Sequence, residues 1–101
     1  MSKLKLTLFA LVGLATSLTA ATEAYADDPI SYCHWYARTA ISQAHAARGS
    51  DRCFHFVNDE PNRWTLDWSA HYQWCLSVFG SGQNASEHQA RVAELNECVN
   101  Q

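Results

Sequence analysis

Lysine occurs at positions 3 and 5 and nowhere after them. Arginine does not take its place as a patch, because Arg38, Arg48, Arg52, Arg63 and Arg91 are spread along the chain. Proteins that neutralise phosphates cluster their cations, so neither nucleic acid nor an anionic membrane surface is an expected partner. The C-x-x-C and H-x-x-x-H spacings are also missing, which removes the common zinc signatures. No serine stands in a G-x-S-x-G context, and the acidic pairs Asp27-Asp28 and Asp59-Glu60 fall at a chain start and in a turn. No catalytic constellation is visible, and an enzyme is not expected. Proline occurs twice and glycine four times, so each one is informative about where an element starts or stops.

Long apolar runs are absent except at the start. Lys3 and Lys5 precede an apolar stretch from Leu6 to Leu18, broken only by Thr, Gly and Ser, and Ala24-Tyr25-Ala26 follows. A basic start, a short apolar stretch and an A-x-A site make a secretory signal peptide, and the run is too short to span a bilayer. Residues 1-26 are therefore expected to be removed, leaving 27-101 as one domain with no stable membrane insertion after cleavage. That domain has 75 residues, with five arginines against nine carboxylates. Its expected location is periplasmic or secreted.

A domain of this size buries a small core, and exported domains of this kind add covalent staples. Cys33, Cys53, Cys75 and Cys98 are even in number and about twenty residues apart. In an oxidising compartment they are expected to form two disulfides, each contributing about 2 to 4 kcal/mol.

Outside residues 49-64 the periodicity is helical, so the expected fold is all-α, with about three helices. Cys33, Tyr36, Ala37, Ala40, Ile41, Ala44 and Ala47 recur at steps of three and four, a stripe of mostly small residues that leaves room for large ones opposite. Pro29 suits the first turn of this helix, and Gly49 follows its last periodic residue. Residues 49-64 lose the period, so Phe54, Phe56 and Val57 are expected in a loop that folds back onto the core. Thr65 is the expected cap of a second helix carrying Trp68, His71, Tyr72, Cys75 and Phe79 on one arc with Trp64 at its upstream end, and Trp64 and Trp68 are the expected bulky complement to the alanine stripe. Gly80-Ser81-Gly82 ends it, and Asn84 with Glu87 or Ser86 with Gln89 forms a capping box for a third helix. The third helix presents His88, Val92, Leu95, Cys98 and Val99 as its apolar face. Asn84-Ala85-Ser86 also matches a glycosylation sequon, a pattern common by chance. Glu87 and Arg91 read as a surface pair at i,i+4, and Arg63 as a partner of Trp64 or Asp67.

Four cysteines permit three connectivities. Three antiparallel helices favour Cys33 with Cys75 at one end and Cys53 with Cys98 at the other.

The pattern Tyr32-Cys33-x-x-Tyr36-Ala37-x-x-Ala40-Ile41-x-Gln43, Cys53, and Arg63-Trp64-x-x-Asp67-x-x-x-His71-x-x-Trp74-Cys75 resembles a set of small exported proteins of alphaproteobacteria. The likeness spans nearly the whole domain. It implies a periplasmic or secreted helical domain and transfers no catalytic residue. Those relatives read C-G-F-x-G-P-R-W in the middle, whereas here Phe54-His55-Phe56-Val57 follows Cys53, so this loop is expected to be remodelled.

Two binding readings follow. Trp35 lies about 160° from Cys33 around the first helix and should be exposed. With Tyr32 and Trp74 it would form an aromatic patch for a protein, a glycan or a small apolar ligand, with no cofactor. The alternative is a metal-binding protein in which His55, His71 and His88 converge. His34 and His45, eleven residues apart, are about 16 Å apart along a helix and cannot share an ion. His71 is otherwise expected at the core edge among Trp64, Trp68 and Tyr72, with one nitrogen on a carbonyl or Asp67.

Overall fold

A computed structural model describes residues 28-99, and the expected signal peptide 1-26 lies outside them. The fold is all-α, with no strand among the described residues: α1 (Pro29–Arg48), a 3-10 turn (Asp51–Cys53), α2 (Phe54–Asp59), α3 (Trp68–Val78) and α4 (Gln83–Val99). No helix among them is long and apolar enough to cross a membrane. The described residues fall into two units divided between Tyr32 and Cys33.

The first unit contains the opening turn of α1. Asp28 caps it by accepting from the Ile30 backbone N–H at 3.0 Å and the Ser31 hydroxyl at 2.7 Å. The Ser31 hydrogen bonds hold the Asp28 carboxyl below the usual carboxylate range.

The second unit is held by two disulfides. Cys33–Cys75 joins α1 to α3 with Cα atoms 5.6 Å apart, and Cys53–Cys98 joins the 3-10 turn to the end of α4 at 5.1 Å. This is the pairing that antiparallel placement favours. The alanine stripe is wholly buried at Ala37, Ala40, Ala44 and Ala47. Ala44 and Ala47 meet Trp64, Cys53 and Cys98 in one core cluster, so the small side chains make room for an indole. Of the two tryptophans expected there, Trp64, in the turn before α3, is the one in this cluster. Trp68 and Tyr72 are only half-buried, stacked on each other at 4.7 Å, with His34 5.1 Å from both rings.

Three local expectations change. Residues 49-64 contain the 3-10 turn and the six-residue α2 instead of a plain loop. Phe56 and Val57 stand three and four residues after Cys53, share its helical face and pack on the core, while Phe54 is 64% exposed. The cap of α3 is Asp67, whose carboxylate accepts from Ala70 N–H at 3.2 Å, while the Thr65 hydroxyl accepts from Asp67 N–H one step earlier. The α4 start uses neither capping box. Ser81 Oγ accepts from Gln83 N–H at 3.1 Å and donates to the Val78 carbonyl at 2.6 Å. Gly80 and Gly82, at φ +86° and +87°, supply the left-handed residues this reversal needs.

Candidate functional site

Of the aromatic residues singled out, Trp35 differs from its expected exposure. Trp35 is half-buried, its ring 5.4 Å from His88, because α4 covers that side of α1. Tyr32 belongs to the first unit, whereas Trp35 and Trp74 belong to the second. Trp74 alone of the pair in the second unit is open, at 36% exposure.

The histidines are likewise separated by environment. His55 lies against Phe56 with ring centroids 4.0 Å apart, in a second, more open depression also lined by Arg52, Glu97 and Cys98. His71 donates from Nε2 to the Thr65 carbonyl at 2.8 Å, and His88 packs on Trp35. A carbonyl only accepts, so a neutral His71 carries its lone pair on Nδ1. Among the described residues no group of three His, Cys, Asp or Glu side chains is placed to hold a metal ion, and all four cysteines are cross-linked.

What the second unit does contain is a cleft of about 370 Å³, walled by α1, the 62-65 segment, α3 and α4. Tyr36 comes from α1, Arg63 and Thr65 from the connection, His71 and Trp74 from α3, and Glu87 and Arg91 from α4. The Trp74 ring lies 5.8 Å from that of Tyr36. Trp74 thus gives the cleft an open aromatic surface, and α1 and α3 are locked together beside it by Cys33–Cys75.

Arg63 organises one wall. Its Nε and Nη2 donate to the two oxygens of Glu87 at 2.6 and 3.0 Å, and its Nη1 donates to Glu60 and Glu94 at 2.8 Å each. One guanidinium therefore serves three carboxylates, replacing the expected pairing with Trp64 or Asp67. Glu94 also accepts from Trp64 Nε1 at 3.2 Å. Burial, with the neighbouring Glu60 carboxyl, raises the Glu94 carboxyl above its ordinary range, against the pull of Arg63. The Glu87 hydrogen bond holds the Arg63 guanidinium still more firmly protonated.

Arg91 is the residue most misjudged from sequence. It is wholly buried, and its Nε donates to Gln43 Oε1 at 2.8 Å. Its guanidinium carbon lies 4.9 Å from the centre of the Tyr36 ring, and Nη1 is 3.6 Å from Glu87, an ion-pair distance too long for a hydrogen bond. Both Nη atoms are buried without a hydrogen-bond partner. The signal was in the spacing: Asn84, His88, Arg91, Leu95 and Cys98 follow one another at steps of four and three, a single stripe, buried at Asn84, Arg91 and Cys98 and half-buried at His88 and Leu95, in which Arg91 holds a core position. Asn84 also belongs to that stripe. It is buried, donates to the Cys75 carbonyl at 3.1 Å and so is committed inside the fold instead of presented as a surface sequon.

Burial lowers the pKa of both His71 and His88, and the charge of Arg91 adds to the effect on each. The fold thus prefers both rings neutral. Their contribution is fully present above the ordinary histidine pKa of about 6.5 and is lost as pH falls from there through the lowered values. The raised Glu94 carboxyl acts with the opposite sign, stabilising as pH falls through its own lower range. The urea midpoint of the oxidised protein is expected to drop between about pH 7.5 and 5.5. A midpoint that rises over that interval contradicts the buried neutral rings.

Compared with protein-family models, curated proteins and solved structures, the chain matches none of them, so its functional reading rests on the cleft itself.

Proposed function

We propose that this chain is an exported, non-catalytic binding module whose ligand seat is the cleft between α1, α3 and α4. Export is supported by the basic start, the apolar run and the A-x-A site, and by two disulfides. The observation that carries the binding reading is Arg91, a buried cation on the cleft wall whose two terminal nitrogens have no hydrogen-bond partner. A buried donor left unsatisfied costs about 1 to 3 kcal/mol, and more when charged, so a protein that retains one has a use for it. The exposed face of Trp74 on the same cleft supplies apolar contact area. Of a protein, a glycan and a small ligand, a concavity of about 370 Å³ fits the last, being near the small end of ligand pockets.

The test is chemical-shift mapping of the isotope-labelled, oxidised protein, isolated after export, against the small-molecule fraction of its own extracytoplasmic space. Shifts centred on Thr65, His71, Trp74 and Arg91 are expected. Shifts confined to the Trp35–His88 side, or none at all, overturn the cleft as the seat.

A further inference from the structure

We infer that the ligand is a small monocarboxylate with a flat apolar body, its carboxylate on the Arg91 guanidinium and its body against Trp74. This rests on the cleft being the binding seat and adds the chemistry of what enters it.

The charge comes from comparing the two arginines on the wall. Arg63 spends Nε, Nη1 and Nη2 on Glu60, Glu87 and Glu94 and has no nitrogen left over. Arg91 spends its one hydrogen bond, from Nε, on a neutral amide, and its two Nη groups form a planar fork with no hydrogen-bonded acceptor, Glu87 standing 3.6 Å from Nη1. That fork matches the two oxygens of a carboxylate, which it meets with paired hydrogen bonds. Arg63 is matched by Glu60, Glu87 and Glu94, so the cation on the cleft wall whose terminal nitrogens lack a hydrogen-bonded acceptor is Arg91. One carboxylate matches that single guanidinium. A dianion such as a phosphate monoester would bring its second charge close to Glu87, whose oxygens are already turned to Arg63. Both Nη atoms are buried, so an oxygen that reaches them interacts in a poorly screened place, where charge is discriminated most strongly.

The body of the ligand follows from the rest of the wall. Trp74 is the exposed aromatic there, and Ala70 lies one helical turn before it on α3. A flat ring or short apolar chain covers that surface without introducing polar atoms that the wall does not meet.

The experiment compares sodium benzoate with its neutral isostere benzamide, titrated into the oxidised protein isolated after export and followed at the Trp74 indole and Arg91 side-chain resonances. Benzoate is expected to bind at least ten times more tightly than benzamide and to move both sets of signals. Arg91→Met is expected to abolish that preference. Should the variant fail to fold, the two-ligand comparison on the unaltered protein still decides. Equal binding of both compounds at the cleft overturns the carboxylate and leaves the cleft as the seat. Benzoate binding elsewhere, or no response of these resonances to either compound, also overturns it, while the extract experiment judges the seat separately.

Discussion

Replacing Trp64 with alanine is expected to cost about 3 to 5 kcal/mol, the range for removing a fully buried tryptophan. Trp64 has no exposed surface and fills the space left by Ala44 and Ala47 above the Cys53–Cys98 bridge. The surrounding cluster cannot collapse easily into the void, because two of its members are covalently tied to each other. The change also removes the N–H donor to Glu94 Oε1, leaving a carboxyl that is already pushed upward by burial with one partner fewer. The backbone tie stays, since the residue 64 carbonyl that accepts from Arg48 Nε at 2.8 Å is kept in alanine, so the loss reports the indole. Urea unfolding of the oxidised variant measures the loss. A cost below about 1 kcal/mol would mean that Trp64 is not the centre of the core. Trp68→Ala is expected to cost less, because Trp68 is half-buried and stacks on Tyr72 at the margin.

The second large effect belongs to the bridges. Cys53–Cys98 spans 45 residues and Cys33–Cys75 spans 42, so loop-closure entropy alone assigns each about 4 kcal/mol at the upper end. The two are not expected to be equal in practice. Cys53 and Cys98 sit inside the core cluster and tether the 3-10 turn and α2, which have a single helical turn or so of their own to hold them. Cys33 and Cys75 join two longer helices that also meet through Tyr36 and Trp74. The double variant Cys53→Ala with Cys98→Ala should therefore lose more stability than Cys33→Ala with Cys75→Ala, and calorimetry on both gives the order. The reverse order would show that the turn and α2 are held by contacts other than the bridge.

The parts of this architecture that repeat regularly were legible in the sequence, and the parts that depend on one side chain reaching across were not. The alanine stripe, the Pro29 start and the Gly80-Ser81-Gly82 stop follow from local geometry, and each stands where periodicity places it. The short α2 was hidden because six residues hold fewer than two turns, and Asn58, Asp59 and Pro61 make the segment resemble a turn. Asp67 displaced Thr65 as a cap: both are good caps two residues apart, and local sequence does not choose between them, while in the structure the Thr65 carbonyl accepts from His71. Two of the three carboxylates on Arg63, Glu87 and Glu94, could not be assigned because they lie 24 and 31 residues away on α4, whereas Glu60 stands three residues before it. Arg91 could have been placed: its stripe is regular, and only its charge argues against a core position. Trp35 was read as exposed because a single helix has a far side, whereas here α4 packs on that side through His88.

Two disulfides frame the cleft, which makes the chemical state of the protein at its natural location the central claim. The most direct measurement is the intact mass, under denaturing and non-reducing conditions, of the protein isolated from its own source. The account predicts a chain that begins at Asp27 and weighs about four hydrogens less than its reduced form, one pair for each bridge. A chain that retains residues 1-26 and carries four reactive thiols would contradict it, because α1, α3 and α4 would then lack the ties that form the cleft.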